Sequence, residues 1–499
     1  MKYVSTRGAS SVSPSEAVLQ GISPDGGLFV PQAFPNVTGE MEQWKSYTYE
    51  ELSAKVLSLY FDDFSQQELL NITSKAYTPN FPKGIVPVRQ IYGNTNMIEL
   101  WHGPTLAFKD MALQVLPYLM GHAMDKTGEK RNMLILVATS GDTGKAALEG
   151  FSDVVRTSIA VFFPKDGVSA MQRLQMVTQE GANVHVCAVD GNFDDAQTGV
   201  KNIFADDAFL QDMEQRNIRL SSANSINWGR LSPQIAYYFH AYFRMQESGQ
   251  VKAGEGINIV VPTGNFGNIL AAYYAMRMGL PVKKLICASN DNSVLADFFK
   301  TGKYDAKRDF FKTISPSMDI LISSNLERLL YEVSGRDAGK VKELMRSLRE
   351  GQQYQIDGEM AQQLEQHFYG DWLSEEETRA EIRHVFEQHG YVMDPHTAVG
   401  HGVYRRYVEK TGDTTPTAIA STASPYKFPQ DVLKALGKEE CKDEQQACTV
   451  LSELSGLSIP EPLAALSGKP ILHSAFCKKD GMREDILAWV GSAHTPIRE

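Results

Sequence analysis

Lys109 is the residue in this sequence whose type and position most directly suggest covalent chemistry. It lies in the stretch 101–110 (WHGPTLAFKD), directly before residues 111–116, which have the pattern of the start of an amphipathic helix. Burial beside Phe108 and the positive end of a helix dipole both disfavour the ammonium form of a lysine. An amine kept partly neutral can form a Schiff base with a carbonyl compound or with pyridoxal phosphate. The alternative is an ordinary solvated lysine at a helix start.

A second candidate site is the loop formed by Gly264, Asn265, Phe266, Gly267 and Asn268, which joins a strand pattern to a helix pattern. Its two glycines let the backbone approach a ligand closely, and free N–H groups at a helix start bind anions. The spacing differs from both G-x-G-x-x-G and the P-loop, which argues against dinucleotide and nucleoside triphosphate binding. The sequence predicts a phosphate site here, with a purely structural turn as the alternative.

Two further polar clusters offer hydrogen-bond donors, although neither identifies a ligand alone. Residues 140–144 (SGDTG) present hydroxyl and N–H groups that suit a carboxylate, whereas Asp142 opposes an anion at that end. Residues 224–230 (NSINWGR) end in Arg230, whose planar guanidinium can hold a phosphate through paired hydrogen bonds.

The elements that must position these residues alternate between strand and helix. Apolar strand patterns lie at 131–139, 158–163, 183–189, 256–261, 283–288 and 416–420, with helix patterns between them. Such alternation predicts right-handed βαβ units and mostly parallel sheets, and ligands of open α/β sheets bind at the carboxyl ends of the strands. The loops at 140–144 and 264–268 both follow predicted strands. By contrast, residues 1–78 read as a mainly helical packing unit or lid, residues 325–390 as a solvated helical insertion, and residues beyond about 428 as a peripheral unit.

Composition restricts the possible classes of protein. The chain has 499 residues, 42% hydrophobic and 22% charged, which indicates a globular protein of two or three domains. Its net charge of -11 disfavours nonspecific binding to nucleic acid or to anionic membranes. We expect neither a signal peptide nor a membrane span. The five cysteines are scattered, with no C-x-x-C pair, and are therefore interpreted as reduced thiols of a cytoplasmic protein without a metal site.

Residues 102–110 (HGPTLAFKD) resemble the cofactor-lysine motif of the threonine synthase family, which are pyridoxal-phosphate enzymes of the tryptophan-synthase-β-like fold (fold type II). The resemblance extends from Met1, including the opening KYVSTRG, to about Pro429, and is to the longer class with an extra N-terminal domain. It implies an α/β fold with two open, mostly parallel sheets and a mainly helical N-terminal domain. The implied boundaries are 1–78, 79–429 with a small subdomain at about 115–222 inserted, and a C-terminal extension at 430–499.

The resemblance also implies roles for single residues. Lys109 would carry the cofactor with Phe108 beside it, the 264–268 loop would bind the cofactor phosphate, and Thr422 would hydrogen-bond the pyridine nitrogen. Asp142 stands near the phenolic oxygen, where shorter family members and related lyases often carry asparagine. The residues that fall where the substrate is bound are Thr139, Ser140 and Thr143 for its carboxylate, and Ser225, Asn227 and Arg230, with Asn265 close by, for its phosphate.

The implied reaction converts O-phospho-L-homoserine and water to L-threonine and phosphate, the last step of threonine biosynthesis. Three alternatives remain open from the residues: a phospho-lyase that makes 2-oxobutyrate, a serine or threonine dehydratase, and a noncatalytic phosphate-binding regulator. We expect the chain to act on this small molecule as a monomer or dimer.

Overall fold

Two mostly parallel sheets flanked by helices, together with a mainly helical N-terminal unit, make up the protein. The computed structural model describes residues 1–491, so residues 492–499 of the predicted C-terminal extension lie outside the described residues. Among residues 1–491, no helix combines the length and apolar character needed to cross a bilayer.

The N-terminal unit consists mainly of helices that begin at clear capping signals. Thr48 and Ser65 each accept a hydrogen bond from the backbone N–H three residues later, and Glu51 and Glu68 return the bond to the capping residue. Such capping boxes explain why the two helices begin where they do. The elements of this unit are Tyr3–Ser5 (β1), Pro14–Gln20 (α1), Phe29–Pro31 (β2), Tyr49–Ser58 (α2) and Gln66–Tyr77 (α3).

The larger sheet has six strands, which are Val88–Tyr92 (β3), Thr95–Glu99 (β4), Ile257–Pro262 (β9), Val282–Ser289 (β10), Phe368–Trp372 (β13) and Thr417–Ser421 (β14). Their order is β13-β10-β9-β14-β4-β3, and every neighbouring pair is parallel except β3 and β4. All six residues of the central strand β9 are buried, as expected when helices cover both faces of a parallel sheet. The helices of this region up to residue 435 are Asp110–Leu113 (α4), Leu116–Thr127 (α5), Trp228–Leu231 (α10), Ile235–Glu247 (α11), Gly267–Met278 (α12), Val294–Thr301 (α13), Leu326–Val333 (α14), Ala338–Gly351 (α15), Gly358–His367 (α16), Glu375–His389 (α17), Pro395–Thr411 (α18) and Pro429–Ala435 (α19).

The smaller sheet and its helices are built from two parts of the chain, its middle and its C-terminal segment. The elements are Asn132–Ala138 (β5), Asp142–Phe151 (α6), Thr157–Pro164 (β6), Ala170–Val177 (α7), Val184–Asp190 (β7), Phe193–Phe204 (α8), Asp207–Gln215 (α9), Ile218–Ser221 (β8), Glu444–Ser455 (α20), Glu461–Ala464 (α21), Ala475–Lys478 (β15) and Met482–Gly491 (α22). The five strands are parallel and lie in the order β15-β7-β6-β5-β8. The predicted fold class, with two mostly parallel sheets and an N-terminal domain, is confirmed.

Two local expectations were wrong. The segment 325–390 is not only a solvated helical insertion, because its strand β13 pairs with β10 at the edge of the larger sheet and Arg328 is fully buried. Its short strand Gln353–Gln355 (β12) also pairs with Lys303–Asp305 (β11). The helix expected to continue through residues 111–116 ends at Leu113, and a new helix begins at Leu116. Pro117 lacks a backbone N–H and therefore fits only the first turn of a helix.

Candidate active site

Lys109 lies at the start of α4 with its side chain almost fully buried. Its Nζ atom donates a hydrogen bond to Ser317 Oγ at 3.1 Å and lies 3.7 Å from Asp142 Oδ2. Burial lowers the pKa of Lys109 to about 8; Asp142 opposes this shift, while the positive charges of Lys427 and Arg230 add to it. A substantial neutral fraction near physiological pH makes this amine a competent nucleophile and base. The expectation of a partly neutral lysine is therefore supported, although burial rather than the four-residue helix α4 is the main cause.

The loop that carries Lys109 is held against the end of strand β14. The backbone N–H of Phe108 donates to the carbonyl oxygen of Thr422 at 2.8 Å, and that of Ser424 donates to Leu106 at 3.0 Å. Thr422 is buried, and its position on this bridge brings the predicted pyridine-nitrogen partner to the same end of the sheet as Lys109. The Phe108 ring centroid lies 4.8 Å from Lys109 Nζ.

Asp142 is paired with a second buried lysine that the sequence analysis did not single out. Lys427 Nζ lies 2.7 Å from Asp142 Oδ1 and also donates to the carbonyl oxygen of Thr105 at 2.9 Å. Gln172 donates to the same carboxylate at 3.0 Å. Burial acts to raise the pKa of Asp142, but Lys427 and then Lys109 hold it well below its usual range. Asp142 is therefore an ionised carboxylate that sets the charge balance around Lys109.

Ser317, the direct partner of Lys109, was also missed. Its backbone N–H donates to His396 Nε2 at 3.1 Å, and His396 Nδ1 lies 2.7 Å from Asp394 Oδ1. Ser317 Oγ donates to Asp142 Oδ2 at 3.3 Å. The Asp394–His396 pair thus fixes the short helical turn Pro316–Met318 against Lys109.

The loop 264–268 leads directly into the first turn of helix α12, where backbone N–H groups lack intrahelical partners. Phe266 adopts a left-handed φ of 64° immediately before the 12-residue helix α12, and its ring packs in the core against Phe299 and Phe368. Any contact between Phe266 and a cofactor would therefore be made by the backbone of Phe266. A Cβ atom on Gly264 would lie 2.4 Å from the carbonyl oxygen of Ser317, so this position requires glycine.

Asn268 and Arg230 each bury a polar atom that finds no partner within residues 1–491. The Oδ1 atom of Asn268 accepts from Tyr237 at 2.7 Å, but its Nδ2 is unpaired. Arg230 is 3% exposed, donates through Nη1 to the carbonyl oxygen of Ala223 at 2.6 Å, and leaves Nε unpaired. None of the ion pairs of the described residues includes Arg230, and burial lowers its pKa to about 10. A buried guanidinium that has no carboxylate partner strongly favours the binding of an anionic ligand.

Asn325, another residue that the sequence analysis missed, holds the two predicted phosphate sites together. Its Nδ2 atom donates to the carbonyl oxygen of Asn265 at 3.0 Å and to that of Ser225 at 3.2 Å. Ser324 Oγ donates to the Asn265 side chain at 3.3 Å. The 264–268 loop and the 225–230 cluster are therefore adjacent in the fold.

Asn227 and Thr139 use their side chains to shape the backbone. Asn227 donates to the carbonyl oxygens of Val18 and Ser222 at 2.9 and 3.1 Å and accepts from the N–H of Gly229 at 2.9 Å. Its bond to Val18 ties the arginine cluster to the N-terminal unit. Thr139 Oγ1 accepts from the N–H groups of Gly141 and Gly144 at 3.0 and 2.9 Å. Both residues therefore position neighbours in the predicted substrate site.

The remaining predicted residues, Ser140 and Thr143, flank Asp142 at the start of α6 and are partly exposed. Gly141 between them has a φ of 138°, and a Cβ atom there would lie 2.4 Å from the side chain of Gln172. The tight turn thus places both residues beside Asp142, the carboxylate partner of Lys109. Their contact with a substrate carboxylate stays a prediction.

Three family models match successive parts of the chain. They are the threonine synthase N terminus over residues 2–77, the pyridoxal-phosphate dependent enzyme family over residues 99–419, and the threonine synthase C-terminal family over residues 397–469. Together they match nearly the whole described chain before strand β15.

Individual proteins agree with the family models. A human protein named threonine synthase-like 1 is 40% identical over 94% of this chain, which spans only 63% of that relative's length. The threonine synthase of Pseudomonas aeruginosa is 37% identical over 94% of this chain and 100% of its own. Among solved structures, pyridoxal-phosphate-bound threonine synthase from Brucella melitensis matches with a TM-score of 0.87 at 36% identity over 99% of this chain and 100% of its own.

Proposed function

This chain belongs to the threonine synthase family of pyridoxal-phosphate-dependent enzymes, and we propose that it converts O-phospho-L-homoserine and water to L-threonine and phosphate. The observation that carries the proposal is the buried Arg230, which lacks an anionic partner within residues 1–491 and lies close enough to Lys109 to lower the pKa of that amine. A substrate with its own phosphate would supply the missing anion beside the reactive lysine. The neighbouring 264–268 loop is available for the phosphate of the cofactor.

The cofactor of the family, pyridoxal 5'-phosphate, fits the residues present. Lys109 is a buried amine with a lowered pKa, and the 264–268 loop offers helix N–H groups, a glycine cradle and the unpaired Nδ2 of Asn268. Lys109 would hold the aldehyde end, that loop the phosphate, and Thr422 the pyridine nitrogen. When bound, this group withdraws electrons from an amino-acid substrate and makes its Cα proton acidic. A hydroxyl such as that of Thr422 leaves the ring nitrogen unprotonated, which favours elimination and replacement over transamination.

The residues around the substrate divide the remaining tasks. Arg230, with Ser225 and Asn265, would bind the substrate phosphate, while Ser140 and Thr143 on the loop shaped by Thr139 would bind its carboxylate. Lys109 would take the proton from Cα and return it at the end, because its pKa lies close to working pH. Protons leave Cα and Cβ, and phosphate leaves from Cγ. Cγ is then protonated to a methyl group, the hydroxyl group of water adds at Cβ, and Cα regains its proton, while the other proton of water goes to the released phosphate; this yields threonine with no net redox change.

The experiment that tests the proposal is product analysis in oxygen-18 water. The cofactor-loaded protein is incubated with phosphohomoserine, and threonine, phosphate, 2-oxobutyrate and ammonia are quantified. We expect threonine labelled at its hydroxyl oxygen in an amount equal to the released phosphate. Phosphate accompanied by 2-oxobutyrate and ammonia, with little threonine, would instead identify a phospho-lyase. The absence of any reaction with phosphohomoserine would refute both the threonine synthase and the phospho-lyase activity.

The N-terminal unit is proposed to close the site without contributing to proton transfer. Support comes from Asn227, whose bond to Val18 links the arginine cluster to this unit, and from Ser221 Oγ, which donates to the carbonyl oxygen of Leu19 at 2.9 Å. We further propose, on the basis of its free thiols, that the protein is cytoplasmic. We also propose that it is a monomer or a dimer. Light scattering during size-exclusion chromatography determines the oligomeric state.

A further inference from the structure

A cluster of potential metal ligands lies in the smaller sheet, formed by strand β7, strand β15 and helix α22. His185 and Cys187 are two residues apart on β7 and therefore point to the same face of the sheet. One ligand atom from each of His185, Cys187 and Asp485 lies within 4.8 Å of the other two. Cys477 on β15 adds a second thiol, with its Sγ atom 3.5 Å from that of Cys187.

This set of donors matches the preferences of zinc. Structural zinc sites use four ligands chosen from cysteine, histidine and carboxylate in a tetrahedron with Zn–S distances of about 2.3 Å, which places two sulfur ligands roughly 3.8 Å apart. The observed separation of 3.5 Å between the two Sγ atoms is within a few tenths of an ångström of that value. Thiolates with an imidazole select zinc over calcium or magnesium, which prefer oxygen ligands.

The charge of the cluster in its metal-binding form suits a divalent cation. Once the thiol protons are released, two thiolates, one carboxylate and a neutral imidazole carry three negative charges. Among the ion pairs of residues 1–491, Asp485 has only His185 as its partner, with 2.7 Å between Nε2 and Oδ2, and no lysine or arginine neutralises it. His185 and Asp485 already bring these two ligand atoms together, and a bound metal would replace the hydrogen bond between them.

We propose that His185, Cys187, Cys477 and Asp485 form a structural zinc site that fastens the C-terminal segment to the smaller sheet. Binding forms four bonds to the metal and releases the two thiol protons to solvent. The segment that contributes Cys477 and Asp485 lies beyond residue 469, where the match to the threonine synthase C-terminal model ends.

A simple disulfide accounts for less of the cluster. It would use the two sulfur atoms alone and leave the convergence of His185 and Asp485 on the same place unexplained. The β-strand register sets Cys187 opposite Ala475 and Cys477 opposite Val189, so the two cysteines are diagonal rather than direct neighbours. The expectation of no metal site considered only short spacings, whereas the two thiols lie 290 residues apart in the sequence.

The test is metal analysis of the full-length, cofactor-loaded protein. After incubation with zinc and gel filtration in metal-free buffer, we expect elemental mass spectrometry to find one zinc ion per chain. Replacing both thiols (Cys187→Ser with Cys477→Ser) should lower bound zinc at least tenfold, whereas the control Cys441→Ser, which changes a partly exposed thiol outside the cluster, should keep it. If the double variant fails to fold, Asp485→Asn provides the same comparison without touching either thiol.

A second measurement separates metal binding from disulfide formation. Zinc should slow alkylation of Cys477 at least tenfold, and a chelator should restore the rate. Cobalt in place of zinc should give the thiolate charge-transfer and visible bands of a tetrahedral site, and these bands should disappear in the double variant. Less than stoichiometric zinc in the wild-type protein, zinc retained by the double variant, or a Cys187–Cys477 disulfide found by peptide mapping in zinc-treated protein would each overturn the proposal. None of these readouts depends on the proposed threonine synthase activity.

Discussion

Replacing Arg230 with methionine should abolish phosphate binding without lowering the stability of the ligand-free protein. Arg230 is 3% exposed, leaves its Nε unpaired, and has no carboxylate partner within residues 1–491. The folded protein thus holds an uncompensated positive charge until an anion binds. Methionine keeps most of the length of the side chain and removes that charge.

The size of the expected stability change follows from the pKa of the Arg230 guanidinium. A pKa of about 10 in place of the ordinary arginine value of about 12.5 corresponds to about 3 kcal/mol against the charged form in the folded protein. The variant also loses the hydrogen bond to Ala223 and leaves that carbonyl oxygen unpaired, at a cost of about 1 to 3 kcal/mol. We therefore expect Arg230→Met to be between equally stable and about 2 kcal/mol more stable than the wild type.

The sign of the pH dependence is fixed by the same shift. Because the folded-state pKa of Arg230 is lowered, the charge destabilises the folded protein fully below pH 10. That cost disappears as the pH rises through the folded-state value toward the unfolded one. The advantage of the variant should consequently be largest at neutral pH and begin to shrink above pH 10.

Urea unfolding of the cofactor-loaded protein, with and without inorganic phosphate, measures both effects. We expect phosphate to raise the urea midpoint of the wild type and to leave that of Arg230→Met unchanged. Arg216→Met is the control, since Arg216 is an exposed arginine paired with Asp212, and its removal should change stability by less than about 0.5 kcal/mol. A variant that unfolds at lower urea than the wild type in phosphate-free buffer, or that keeps the full phosphate effect, would refute this reasoning.

Three further outcomes are expected. The rate at which the cofactor-free protein binds pyridoxal phosphate should rise with pH and level off above about pH 8, because only the neutral amine of Lys109 reacts. Stopped-flow spectra measure this rate, and a rate independent of pH would contradict the prediction. Lys427→Met should shift the pH midpoint of this binding rate to higher pH, since Lys427 lowers the pKa of Lys109, and an unchanged pH midpoint would contradict that role. The same variant should lose about 3–5 kcal/mol of stability in urea unfolding, because Asp142 stays buried without its nearest cation. Gly264→Ala should weaken cofactor binding at least tenfold in fluorescence titrations while circular dichroism stays unchanged, because the added Cβ would lie 2.4 Å from the carbonyl oxygen of Ser317, and wild-type affinity would show that the loop tolerates a side chain.

The residues that could be predicted are those whose signal is local. Lys109 and the 264–268 loop stand at junctions between strand and helix patterns, where residue type and spacing alone carry the chemistry. Ser317 and Lys427 could not be predicted this way, because Ser317 meets Lys109 across 208 residues of sequence and no periodicity marks either. Strand β13 was missed because its five residues include a glycine and an aspartate and lie between two charged helices. Its assignment depends on pairing with β10, a contact that is not encoded locally.

The pairing of β15 with β7 has a consequence for synthesis of the chain on the ribosome. Strand β7 ends at Asp190, whereas β15 begins at Ala475, 285 residues later (475 − 190). At about 5–20 residues per second, the ribosome needs roughly 15 to 60 s to make that interval. During this time the smaller sheet can form from β5 to β8, but the edge of β7 remains open to pairing with a strand of another nascent chain. Slow elongation or premature termination before residue 475 would therefore leave the backbone N–H and C=O groups of the β7 edge unpaired and prone to aggregation. Chaperones that bind extended segments would have their largest effect on folding in this interval.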